Sequence, residues 1–212
     1  MTKQETINTF HLYMDDTSDL STQEESDLYD RVLQKIYMDR PWEFLKKEKS
    51  DTTSTTLPYI SLPTDFVYLT QNHNYSQINE EASGPVIFVG AGYSPYKVVS
   101  WSDRRQYRNQ DGYAFIDIVN RRLYFAQQPT QALPVEYDYH FLPTALTPGQ
   151  SPVFPVGAAA AGDKAIFHAM CVDSFVIQQS DKARSYASEN QALHQAAMAE
   201  LAFFNANLIQ EN

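Results

Sequence analysis

The chain has 212 residues, 43% hydrophobic and 20% charged, a globular balance with room for one substantial core, or one core plus an inserted subdomain. Its formal net charge of −10 argues against a free-standing protein that coats nucleic acid, because phosphate binding needs Lys and Arg. The single Cys171 excludes a disulfide framework, and neither a leader-like apolar region after Met1–Glu5 nor a membrane-length apolar run occurs, so a soluble protein made in the cytosol is expected.

Residues 6–14 predict a short helix with Ile7, Phe10 and Tyr13 or Met14 on one side. Asp15-Asp16-Thr17-Ser18-Asp19 then breaks the pattern. Helix capping and solvation account for these acids, since a calcium loop needs alternate oxygen ligands and a central glycine. Ser21 and Glu24 form a capping box that opens a second helix. Leu28/Tyr29, Val32/Leu33 and Ile36/Tyr37 give that helix one apolar stripe, and Pro41 stops or redirects it.

Ser50–Thr56 reads as a loop or an exposed extended edge. Strands are then expected at 58–62, 65–70, 86–89, 96–100, 113–119, 122–126 and 135–142. Gly90-Ala91-Gly92 is followed by strand-like residues rather than a helix, so a wide hairpin is expected there and not a phosphate loop. Val119-Asn120-Arg121-Arg122 reads as a tight turn, with Asn120 taking the positive φ. In the last segment Val135, Tyr137, Tyr139 and Phe141 alternate with Glu136, Asp138 and His140, the pattern of a half-buried strand.

A Pro-rich linker, with prolines at 143, 148, 152 and 155, leads to helices at about 157–179 and 182–207. The first is apolar on nearly every side and must be covered all round, by its own fold or by neighbouring copies. The fold expected is α+β, a helical bundle built from the N- and C-terminal helices with an inserted antiparallel β subdomain. Its parts would be 1–56, 57–142 and 143–212.

No catalytic constellation presents itself. The histidines 11, 73, 140, 168 and 194 lack zinc-ligand spacing, and His168 with Cys171 cannot complete a tetrahedral site. No metal and no cofactor is expected. Arg104, Arg105, Arg108, Arg121 and Arg122 carry most of the positive charge of the β region. They read either as a solvated face with ion pairs to Asp103 and Asp111, or as a partner-facing basic cluster. Near the C-terminal end, Phe203 and Ile209 fall off the stripe of Leu193, Ala197, Leu201 and Phe204. Phe203, Phe204, Leu208 and Ile209 are therefore candidate interface residues, and residues 203–212 are expected to serve assembly rather than folding.

Three local patterns resemble the head-to-tail adaptor (connector) proteins of tailed bacteriophages. They are Tyr37-Met38-Asp39-Arg40-Pro41-Trp42-Glu43-Phe44-Leu45 before a Thr/Ser run, the strand entry Tyr59-Ile60-Ser61-Leu62-Pro63-Thr64-Asp65-Phe66, and Tyr137-Asp138-Tyr139 followed by the Pro-rich linker and helical pair. The resemblance implies a non-enzymatic virion protein of the neck, forming a ring, usually a dodecamer, beneath the portal. Its partners would be the portal protein, further copies of itself and a downstream tail or nozzle protein. Genomic DNA would pass through without sequence-specific binding, and no membrane would be involved. Alternative readings are another neck or tail-completion protein, or a carbohydrate- or peptide-binding module.

Overall fold

The computed structural model describes residues 1–14, 20–70, 85–178 and 181–211. The chain divides into two units, Met1–Leu45 with Pro143–Asn212, and Lys46–Leu142. Residues 15–19 and His73 lie outside the described residues.

In the first unit, α1 (Lys3–Met14) and α2 (Thr22–Met38) pack on α3 (Ala159–Gln178), which also lies along α4 (Asp181–Glu211). The capping box forms in full: the Glu24 N–H donates to Ser21 Oγ at 3.3 Å, and the Ser21 N–H donates to Glu24 Oε2 at 2.8 Å. Leu28, Tyr29, Val32, Leu33, Ile36 and Tyr37 are all buried, as the stripe requires. Contact with the three other helices covers Ala161, Ala165, Ile166, Met170 and Cys171 of α3, all buried within the fold. Where Phe154 crosses α3, a Cβ on Gly162 would lie 2.3 Å from the ring. Phe154 is itself held against Tyr37 and Phe44, so no side chain fits at 162.

Trp42 is fully buried and its Nε1–H donates to the Ile36 carbonyl at 2.7 Å. That carbonyl lies in the last turn of α2, where intrahelical donors run out. Asn205 of α4 is 7% exposed, and its Oδ1 accepts from the Glu43 N–H at 2.6 Å. Asn205 thereby fixes the short 3-10 turn Glu43–Leu45 to the C-terminal helix. The last ten residues thus include a folding contact, contrary to their expected role in assembly alone.

The second unit is a large, nearly closed barrel of eight strands in a mixed sheet. The strands are β1 (Lys46–Thr52), β2 (Tyr59–Ser61), β3 (Phe66–Leu69), β4 (Val86–Val89), β5 (Ser94–Val99), β6 (Tyr113–Asp117), β7 (Arg122–Phe125) and β8 (Pro134–Phe141). Their order is β1-β8-β4-β5-β6-β7-β2, with β3 also on β8. β8 organises the sheet: β1 runs along its whole length, and β3 and β4 share its other edge. Val135, Tyr137 and Tyr139 enter the core with Ile87, Leu123 and Phe125.

This corrects the expected fold. The molecule is not a helical bundle carrying a small antiparallel insert. The β unit begins at Lys46, ahead of the expected 57, and β5 pairs with β6 in parallel. The extended edge expected as one alternative for 50–56 covers only Ser50–Thr52 of β1, because Lys46, Lys47, Glu48 and Lys49 give the strand no apolar alternation. Its charges suit an edge strand, where lysines discourage further pairing. The parallel pair arises because residues 100–112 cross over rather than turn back.

Two turns refine the sequence reading. Gly90–Tyr93 joins β4 to β5 as a hairpin. Between β6 and β7 the positive φ belongs to Arg121, at 50°, and not to Asn120. Asn120 instead donates its N–H and side-chain amide to Asp117, at 3.1 and 2.8 Å.

Asp65 ties β3 to β1. Burial alone would raise its pKa, but the Lys47 ammonium at 2.7 Å and the Tyr139 hydroxyl at 3.2 Å hold it below the ordinary carboxylate value. A lowered folded-state pKa contributes stability above the unfolded pKa of about 3.9, lost as pH falls through the folded value. Both side chains keep some solvent exposure, so the effect is below about 1 kcal/mol. Asp65→Asn should therefore lower the urea midpoint near neutral pH and flatten its acid limb; an unchanged limb would remove Asp65 from the acid response.

Candidate functional site

The clearest constellation lies on the β unit, around residues 101–108 and the β6–β7 pair. A 3-10 turn, Trp101–Asp103, starts this segment, with Ser100 Oγ accepting from the Ser102 N–H at 3.3 Å. The turn brings Trp101, Arg104, Arg105 and Arg108 over Phe115, Tyr124, Phe125 and Ala126, and they enclose an open groove of about 360 Å³. Phe115, Phe125 and Ala126 form a buried apolar floor, while Arg105 and Arg108 are exposed at the rim.

The aromatic and cationic groups alternate along this face. The Arg104 guanidinium lies 4.6 Å from the Trp101 ring centre, and its Nη1 donates to the Trp101 carbonyl at 2.8 Å. Trp101 meets Tyr124 at 5.4 Å, and Tyr124 meets Tyr59 at 5.1 Å. Arg122 covers Tyr59 at 4.2 Å and donates to the Tyr124 hydroxyl at 3.3 Å. The Tyr124 hydroxyl, by accepting, raises the Arg122 pKa above its already high ordinary value, so that guanidinium stays charged.

Three of the five arginines named from sequence, Arg104, Arg105 and Arg108, thus line one groove, and Arg122 joins them through Tyr124 and Tyr59. Arg121 is turned away, its Nη1 donating to the Thr64 carbonyl at 2.9 Å. The expected ion pairs to Asp103 and Asp111 do not form. Asp111 accepts from the Tyr96 hydroxyl, and Asp103 accepts from Ser102 Oγ at 3.2 Å. Sequence reasoning missed Trp101, Tyr124 and Tyr59. The Trp101–Arg104 spacing of three, within one turn, was the available signal.

A second cavity, of about 400 Å³, gathers Glu48, Glu136 and Asp138 beside Thr70 and Tyr137. The Thr70 and Tyr137 hydroxyls are buried without a hydrogen-bond partner among the described residues. Lys46 lies 3.9 Å from Asp138 and offsets part of that charge. No group of three or more His, Cys, Asp or Glu side chains is placed to hold a metal ion among the described residues.

The remaining nucleophile and histidine candidates are engaged elsewhere. Burial pushes the Cys171 thiol up to about 12, so it is a thiol and not a thiolate. His168 Nδ1 pairs with Asn190 Oδ1 at 2.6 Å, His194 Nδ1 with the Ala165 carbonyl at 3.0 Å, and His11 with Glu25 at 2.7 Å. His140 packs on Tyr68 with ring centres 4.7 Å apart.

Of the candidate interface residues on α4, Phe203 is 65% exposed, while Phe204 and Leu208 are half-buried. The Ile209 side chain lies outside the described residues. Of the inner stripe read from sequence, Ala197 and Leu201 are buried, but Leu193 is 48% exposed, and Asn190 and Asn205 complete the stripe. The opposite face shows Ala192, Ala196, Ala199, Phe203 and Ala206, all exposed. Their spacing alternates four and three residues, the seam by which one helix packs along another. No family model matches the chain, and no curated protein matches it. No helix among the described residues is long and apolar enough to cross a membrane.

Proposed function

We propose that this chain is a head-to-tail adaptor of a tailed-bacteriophage virion. It forms a ring in the neck beneath the portal, connects capsid to tail, and extends the channel through which DNA is ejected. The role is structural, with no catalysis and no cofactor. Its partners are the portal protein, further copies of itself and a downstream tail or nozzle component, while genomic DNA passes through without sequence-specific contact.

The observation that carries this reading is the exposed seam of α4. The unit already packs Ala165, Ile166, Met170 and Cys171 of α3 and the inner stripe of α4, so a second apolar row at helix-packing spacing is surplus to that core. Identical chains bury a heterologous surface of that kind by closing a ring. The resemblance supports it too: Arg40-Pro41-Trp42 follows the end of α2, Tyr59–Ser61 is β2, and Tyr137-Asp138-Tyr139 lies in β8 before the linker and helices. A sugar-binding reading loses its platform, because Tyr137 and Tyr139 are buried.

The test is native mass spectrometry of the chain bound to its portal complex, with electron microscopy of particles. A closed ring between portal and tail is expected. One or two copies per portal, or a position elsewhere in the particle, would overturn the reading.

A further inference from the structure

We propose that the groove between Trp101–Arg108 and the β6–β7 face binds an acidic, extended segment of a partner protein. An apolar side chain of that segment seats on the Phe115, Phe125 and Ala126 floor. Flanking carboxylates are held by Arg104, Arg105 and Arg108.

Charge is the first argument. Among the described residues, three lysines elsewhere have close carboxylate partners: Lys3 pairs with Asp30, Lys35 with Asp173, and Lys47 with Asp65. Arg104, Arg105 and Arg108 form no ion pair with Asp103 or Asp111, which take hydrogen bonds from the Ser102 and Tyr96 hydroxyls. Guanidinium groups gathered without a counter-ion, in a chain of net charge −10, are complementary to an anion supplied from outside.

The second argument separates a carboxylate ligand from a nucleic acid. Single strands are bound by stacking bases on open aromatic faces along a basic groove. Here Arg104 covers Trp101, Arg122 covers Tyr59, and Tyr124 lies between the two rings. One face of Trp101 and one of Tyr59 thus carry a guanidinium, and Tyr124 meets both rings at a tilt, so no run of open parallel ring faces lines the groove for successive bases. The Arg104 fork is held by the Trp101 ring beneath it, Arg105 and Arg108 stand exposed beside it, and guanidinium forks match the planar two-oxygen geometry of Asp and Glu. The long-range field of the acidic chain also disfavours a polyanion far more than a short segment with a few charges.

The floor is the third argument. Buried Phe and Ala surfaces at the base of a groove favour an aliphatic side chain and offer nothing to a ribose. The partner motif is therefore an apolar residue between acidic ones. This assignment holds whether or not the chain forms a ring, since every groove residue belongs to one β unit.

Fluorescence anisotropy on the full chain tests it, using a labelled short peptide of Glu–Leu repeats, the Lys–Leu counterpart and an oligothymidylate. Saturable binding of the acidic peptide alone is expected, weakening as salt rises. The double variant Arg105→Ala with Arg108→Ala should weaken it by about tenfold or more, while Arg31→Ala leaves it unchanged. Circular dichroism of the double variant guards against misfolding, and a shift in Trp101 emission on titrating the unaltered chain gives a readout that needs no variant. No saturable binding, preference for the oligothymidylate, or equal affinity in the double variant would each overturn the proposal.

Discussion

Trp42→Ala is expected to cost the helical unit about 3–5 kcal/mol, the range for emptying a fully buried large aromatic site. The indole is completely enclosed, with Phe44 5.3 Å away and the Arg40 guanidinium 5.0 Å from the ring centre. Its Nε1–H donates to the Ile36 carbonyl at 2.7 Å, beside the longer 3.3 Å bond from the Asp39 N–H, so the substitution opens a cavity and removes the shorter of two bonds near the end of α2. Trp42→Phe separates these effects. It keeps most of the apolar volume and loses the hydrogen bond, for a further loss of about 1 kcal/mol beyond its smaller size. Chemical denaturation followed by far-ultraviolet circular dichroism reads the helical transition. A loss below about 1 kcal/mol for Trp42→Ala would mean the site collapses around the gap and Trp42 is not the anchor described.

What was legible in the sequence followed local periodicity. The Ser21 capping box, the α2 stripe and the alternation of Val135, Tyr137 and Tyr139 each depend on neighbours within a few residues, and each formed. β1 has no such pattern; it exists because β8 offers an edge to seven of its residues, a partner some ninety positions along the chain. The parallel β5–β6 pairing has the same non-local origin. His140 alternates with the core residues of β8 yet is buried, and β3, paired with that end of β8, sets Tyr68 directly opposite it.

The candidate sites divide along the same line. The five arginines could be named from composition, but only the crossover at 100–112 decides that three share a groove and that Arg121 does not. Asn205 carried no signal at all, being a polar residue on an Ala-rich helix whose partner is the Glu43 N–H. Leu193 and Phe203 were read on opposite sides of α4, yet both face solvent. A helix with two usable stripes cannot be assigned an inner face from its sequence alone.

Ala199→Glu combined with Phe203→Glu is expected to abolish ring assembly while leaving the folded chain intact. Both positions are exposed on the seam of α4, and neither touches the inner stripe of Asn190, Ala197, Leu201 and Asn205. Exposed substitutions of this kind usually change stability by no more than about 0.5 kcal/mol. In an assembled ring the same positions would bury carboxylates against an apolar neighbour without a counter-charge. Losing the Phe203 contact alone forfeits roughly 1.5–3 kcal/mol per interface, and the unpaired charges add to that at every subunit contact. Deleting residues 203–212 is the poorer test, because it also removes Asn205 and with it the tie to Glu43. Circular dichroism should show an unchanged thermal transition for the double variant. Co-sedimentation with portal-bearing capsids should fall to background. If the double variant still joins particles at normal occupancy, the seam is not the assembly surface and the adaptor reading loses its main support. If it unfolds instead, Ala199 and Phe203 belong to the core of the helical unit, and their exposure on α4 has been misread.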